Sequence, residues 1–132
     1  MNMAKEMFVI VRSHFSAIHC WPMCPFEEVS FLKHPHRHIF HVEVKCRIDH
    51  EDRNLEFFMV KNRLNIILTE LFEGRDLGSL SCEMMAQAIT KNLDKALCKM
   101  TSIPFNSEKP FYVKSVSVFE DGENGAEVVY AD

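Results

Sequence analysis

Four of the chain's seven histidines, His34, His36, His38 and His41, fall within eight residues. The segment they open then alternates apolar and polar like a half-buried strand. Side chains two apart on a strand share a face, so His36, His38, Phe40, Val42 and Val44 point one way. Arg37, Ile39, His41, Glu43 and Lys45 point the other. Two imidazoles heading an apolar face are costly to bury unpartnered, but as neutral bases they can converge on one tetrahedral zinc ion. Zinc needs a further ligand. His19 is the best placed, because it ends an earlier extended run in which Phe15, Ala17 and His19 also share a face. The bland alternative is a pair of partly exposed histidines at a strand end. His41 belongs to the opposite face, and the bend at Pro35 leaves the direction of His34 open.

The elements that must position these residues follow from periodicity. Met7 to His19 reads as a first strand, with Met7, Val9, Val11, Phe15, Ala17 and His19 on one parity. Pro22 and Pro25 deny regular pairing to Cys20–Phe31, which reads as a loop. Arg37–Ile48 is the second strand, and His50–Asn54 is a polar turn. From Glu56 the period becomes helical, with Phe57, Val60, Leu64, Ile67, Leu68 and Leu71 as the apolar stripe. Gly74 and Gly78 mark its end. A second helix starts at Ser81 as N-cap, with Glu83 in the favourable first turn and Met84, Met85, Ala88, Ile89, Leu93 and Ala96 as its stripe. Thr101–Pro110 is a loop. Phe111–Glu120 is a third strand and Glu127–Tyr130 a fourth, joined by an Asp121–Ala126 turn. The order β-β-α-α-β-β predicts an α+β fold, one antiparallel sheet with both helices on one face.

Composition bounds the function. The 132 residues suit one domain, and 47% hydrophobic residues suffice for a core. A net charge of −4 gives no general electrostatic case for nucleic acid. No apolar run approaches the roughly 18–20 residues of a membrane span. Met1–Glu6 is too short and polar to begin a signal peptide. Five cysteines, an odd count without zinc-ribbon spacing, favour reduced thiols and a cytoplasmic protein. Cys20 and Cys24 alone, flanked by prolines, make a poor metal clip.

Several motifs in this order carry a resemblance. Phe15-Ser16-Ala17-Ile18-His19 and His36-Arg37-His38-Ile39-Phe40-His41-Val42 resemble the Phe-x-Ala-x-His and His-Gly-His-x-aromatic-x-Val motifs of the 6-pyruvoyltetrahydropterin synthase and 6-carboxytetrahydropterin synthase family. Glu56-Phe57 with Val60-Lys61 is similar to that family's first helix start, and Ser81-Cys82-Glu83-Met84-Met85-Ala86 to its second. Val116–Glu120 is similar to the strand ending in a glutamate that holds the pterin. The likeness runs along nearly the whole chain.

The resemblance implies the tunnelling fold, in which three subunits join their sheets into a barrel and two trimers commonly stack. It implies zinc on His19, His36 and His38, with 7,8-dihydroneopterin triphosphate bound between subunits. Glu120 would accept N–H bonds from the pterin ring, which suits a planar carboxylate against an amidine edge. Ser81 and Glu83 would contribute to the ring site, although each is a helix-start residue first. In the family the metal polarises side-chain hydroxyls, a cysteine activated by an Asp-His pair moves protons, and triphosphate leaves.

The chain also departs from that pattern. The cysteine's positions are Ser30, Phe31 and Leu32 here, the Asp-His pair falls on Phe72-Glu73, and the glycine between the histidines is Arg37. Cys24, Glu73 and Asp76 are the remaining candidates for proton transfer. Three functions follow. The first is a zinc-dependent carbon–oxygen lyase with altered proton-transfer residues. The second is a lyase-inactive member that binds a pterin- or purine-like ligand. The third is a zinc hydrolase using an open metal position.

Overall fold

The computed structural model describes residues 5–103 and 109–131. Its strands are β1 (Met7–His19), β2 (His36–Ile48), β3 (Phe111–Glu120) and β4 (Asn124–Val129), and its helices are α1 (Phe57–Leu71) and α2 (Cys82–Thr101). The four strands form one antiparallel sheet in the order β1-β2-β3-β4. α1 lies against β1, and α2 against β3 and β4, on the same face. The predicted α+β order and both helix starts are therefore present. Glu56 caps α1 by accepting the Met59 N–H at 2.8 Å, and Ser81 caps α2 by accepting that of Met84 at 3.2 Å.

Strand register does the positioning. Ala17 pairs with His38 and His19 with His36, so the three imidazoles start from adjacent rungs on the helix-covered face. On the other side of β2, Lys45 pairs with Ser115 but Cys46 pairs with Val113, leaving Lys114 as an extra residue in β3. That bulge reverses the parity of the strand. Phe111 and Val113 before it, and Val116 and Val118 after it, are all buried, and Glu120 pairs with Phe40 on the face the histidines use.

The outer edge of β1 is closed at its histidine end. Residues 74–78 run alongside, with the N–H of Gly74 donating to Ser16 O at 2.7 Å and that of Cys20 to Gly78 O at 2.9 Å. Gly74 and Gly78 take φ of 71° and 60°, which lets this segment turn tightly off α1. His19 thus sits on a strand held from both sides.

Some expectations change. β4 begins at Asn124 rather than Glu127 and ends at Val129, so the turn shrinks to Asp121–Glu123. Gly125 makes this possible, because a Cβ there would collide with the Val118 carbonyl oxygen. The Cys20–Phe31 loop gives way to 3-10 turns over Glu27–Lys33, broken at Val29. Phe57 and Met84, assigned to buried stripes, are 59% and 54% exposed. Phe57 lines a groove at the β1 edge and Met84 the wall of a cavity, while Phe72, Ala86 and Leu97 complete the core. The predicted Thr101–Pro110 loop falls partly on residues 104–108, outside the described residues; Thr101 itself ends α2. No described helix is long and apolar enough to cross a membrane.

Candidate metal centre

His19, His36, His38 and Glu120 bring one ligand atom each to within 4.8 Å of one another. The imidazole centroids are 4.7 Å (His19–His36), 4.9 Å (His36–His38) and 5.5 Å (His19–His38) apart, set edge to face. Each ring is oriented by its far nitrogen. His19 Nδ1 donates to the Leu80 carbonyl at 2.9 Å, and His36 Nδ1 to the His34 carbonyl at 2.9 Å. His38 Nδ1 donates to Asp121 Oδ2 at 2.7 Å. Carbonyl and carboxylate oxygens can only accept, so each Nδ1 carries the hydrogen, and in a neutral ring Nε2 is left to offer a lone pair.

Two of these three nitrogens lack a hydrogen-bond partner. Nε2 of His19 and of His36 are buried without a hydrogen bond. His19 Nε2 lies 2.8 Å from Glu120 Oε2 but without hydrogen-bond alignment, and His38 Nε2 lies 3.5 Å from the same oxygen. Buried polar atoms left over in this way need an explanation. A cation would supply it: three imidazole nitrogens with a carboxylate alongside are a donor set that suits zinc. The residues fit the metal.

Sequence reasoning missed Asp121. It follows Glu120 in the hairpin turn with φ of 55°, a left-handed conformation that aspartate tolerates. Its N–H donates to Ile39 O at 2.7 Å and its Oδ1 accepts the Ile39 N–H at 3.0 Å, which fastens the turn onto β2. The hydrogen bond from His38, and then that from Ile39, hold its carboxyl below the usual carboxylate range. The Asp121-Gly122 pair directly after a candidate carboxylate was the signal available.

A cavity of about 480 Å³ opens beside the cluster, lined by His19, His36 and Glu120 and by Ser81, Glu83 and Met84 from the start of α2. Ser81, Glu83 and Glu120 therefore line one cavity, and Glu120 also lies among the imidazoles. Cys82 lines the same cavity. Burial, then the charges of Glu120 and Glu83, push its thiol up to about 12, so it stays protonated.

The proton-transfer candidates lie elsewhere. Cys24 is buried within its own loop, with Sγ toward the carbonyls of Phe26 and Val29 at 3.7 and 3.8 Å. Glu73 Oε2 accepts the Ser16 N–H at 2.6 Å and faces a second cavity, of about 520 Å³, with Lys61, His14 and His41. That cavity contains none of the clustered imidazoles. Asp76 Oδ1 caps the N–H of Gly78 at 2.9 Å. None of the three lines the cavity beside the histidines.

No family model matches the sequence, and no curated protein matches it. Solved structures do match. 6-Pyruvoyl tetrahydropterin synthase of Caenorhabditis elegans superposes with a TM-score of 0.69 at 14% identity, over 99% of this chain and 100% of that one. The chain has the 6-pyruvoyl tetrahydropterin synthase fold. The Plasmodium falciparum synthase gives a TM-score of 0.65 at 15% identity, covering 95% of this chain and 98% of that one. An uncharacterized protein of Wolinella succinogenes, WS1659, gives 0.68 at 12% identity over 95% and 99%. The synthase fold is thus reached at 12–15% sequence identity.

Proposed function

We propose that this protein is a zinc-dependent carbon–oxygen lyase of pterin or deazapurine biosynthesis, acting on 7,8-dihydroneopterin triphosphate or a close relative. One observation carries the reading: three Nε2 lone pairs and Glu120 converge at the wall of a cavity large enough for a bicyclic ring. The synthase fold supports the substrate class, since two of its matches are named 6-pyruvoyl tetrahydropterin synthases.

His19, His36 and His38 hold the ion, and Leu80 O, His34 O and Asp121 orient them. Bound zinc would acidify and orient a substrate hydroxyl. Glu120 stands beside the imidazoles, where its carboxylate can take the proton from that hydroxyl within hydrogen-bond reach. Ring recognition then passes mainly to Glu83 at the exposed start of α2, with Ser81 shaping the wall between its cap bond and the cavity. A planar carboxylate accepts paired N–H groups well.

A second reading, a lyase-inactive protein that sequesters a pterin- or purine-like ligand, is favoured by the remote placement of Cys24, Glu73 and Asp76. Incubation with dihydroneopterin triphosphate followed by mass spectrometry separates the two. Release of triphosphate supports the lyase, and tight unchanged ligand supports the binder. About one zinc per chain is expected by metal analysis, with His36→Ala losing most of it. Glu120→Gln should abolish turnover while retaining zinc; zinc loss instead would make Glu120 a fourth ligand and close the site. We read the protein as cytoplasmic and as a homo-oligomer, a trimer or a dimer of trimers. Joining copies would cover the outer edge of β1 ahead of residue 16 and the outer edge of β4. Light scattering on the purified protein tests the assembly.

A further inference from the structure

We propose that Trp21 is the ring-stacking residue of this cavity, closing over the flat face of a bound heteroaromatic bicycle. The inference rests on reading the cavity as a ring site, and it assigns specificity to a residue outside the metal and carboxylate set.

Trp21 lies two residues beyond His19 and lines the cavity together with Leu32. Its side chain remains 41% exposed. Its indole is thus accessible from the cavity side, where a ligand can reach it. The backbone beneath it is fixed: its N–H donates to Leu32 O at 2.6 Å and its carbonyl accepts the Cys24 N–H at 3.1 Å. One residue earlier, the Cys20 N–H is tied to Gly78 O at 2.9 Å. Phe26 supports the indole edge-on, at 5.9 Å and 65° between planes. Cys24, buried in the loop interior, fills the space behind this turn. The turn that carries the indole is therefore held in place before any ligand arrives, so little backbone freedom is lost on binding.

The rest of the lining fits the same ligand. Met84 and Ala126 add apolar surface, and Glu83 supplies an acceptor for edge N–H groups. Apolar cover for a flat face with a carboxylate for its edge describes a planar nitrogen bicycle, not a sugar or a phosphate chain. Stacking on an aromatic side chain is strong enough to matter, and alanine substitution at such positions weakens binding by roughly 5- to 150-fold.

The test uses the zinc-loaded full chain and neopterin, a stable oxidised pterin. Trp21 is the sole tryptophan, so its emission reports on one site. Saturable quenching is expected on titration. By calorimetry, Trp21→Ala should bind neopterin about tenfold or more weakly, Trp21→Phe should retain most of the affinity, and both should keep the wild-type zinc content. Trp21→Leu separates stacking from plain apolar cover and should resemble the alanine variant. Saturable binding without quenching, Trp21→Ala binding like wild type, or Trp21→Leu matching Trp21→Phe would each overturn the stacking role and leave the ring site standing. Wild-type protein that binds no neopterin would remove the ring site and the stacking role together.

Discussion

Asp121 is the partner of His38: one carboxylate oxygen lies 2.7 Å from His38 Nδ1, while the other takes the Ile39 N–H at 3.0 Å. The bond fixes the tautomer that turns Nε2 toward His19 and His36. Groups behind a metal-binding histidine typically contribute about 10- to 100-fold in metal affinity. Asp121→Ala should weaken zinc binding by about that factor, read by competition with a chromogenic chelator. Asp121→Asn, whose oxygen can still accept from Nδ1, should recover much of the loss. Equal zinc affinity in wild type and Asp121→Ala would make the contact incidental.

Cys24, Glu73 and Asp76 were the sequence's candidates for moving protons, and each is engaged away from the imidazoles: Cys24 and Asp76 within their own loops, Glu73 on the Ser16 N–H of β1. If turnover is found, Cys24→Ser and Asp76→Asn should leave the rate within a few-fold of wild type. A general base contributes about 10²- to 10⁴-fold, so a drop of that size in either variant would return the residue to the mechanism. Glu73→Gln removes the charge from the acceptor of the Ser16 N–H and should cost about 1 kcal/mol of stability with the zinc retained, read by urea unfolding.

Much of this was legible in the chain because side-chain parity along a strand is a local property. His19, His36 and His38 each end or begin an alternating run, and alternation alone puts them on the buried face. Two features were not legible for a shared reason. The extra residue Lys114 sits in a stretch, Tyr112–Ser115, that offers no turn signal, so only pairing with β2 reveals the bulge. Asp121 meets His38 across 83 positions, through a hairpin docked on β2. Glu120 follows Val116 and Val118 in alternation, but its approach to His19 depends on two strand registers at once. The remoteness of Cys24 likewise depends on how its loop folds inward.

Asp94 gives a stability prediction away from the site. Burial raises its carboxyl above the ordinary 3.8, against a hydrogen bond from the Val113 N–H and the charge of Lys109, which lower it. The neighbouring Cys46 thiol is pushed up to about 12 by its own burial and then by Asp94. A folded-state pKa above the unfolded one means that stability is fully present below about the ordinary value and is lost as pH rises through the raised value. Asp94→Asn keeps an acceptor for Val113 without the buried charge. It should equal or exceed wild type in thermal stability at neutral pH, with the difference shrinking on acidification. A variant less stable than wild type at neutral pH, by the same amount at acid pH, would contradict the buried-charge account.

The bulge at Lys114 makes the most demanding prediction, because it concerns residue count and not side-chain chemistry. Val113 and Val116 both face the helices only because one extra residue separates the two halves of β3. Deleting Lys114 restores strict alternation, so either Phe111 and Val113 or Val116, Val118 and Glu120 must turn to the other face. Exposing Val116 and Val118 alone would cost about 1.5–3 kcal/mol each. Since Glu120 travels with them, the carboxylate would also leave the imidazoles. The alternative slip would keep Glu120 in place and expose Phe111 instead. Lys114→Ala changes the side chain without changing the count, and should melt within a few degrees of wild type with full zinc. The deletion should lose several kcal/mol in urea unfolding along with its turnover. A deletion variant as stable and as active as Lys114→Ala would show that the insertion does not set the position of Glu120.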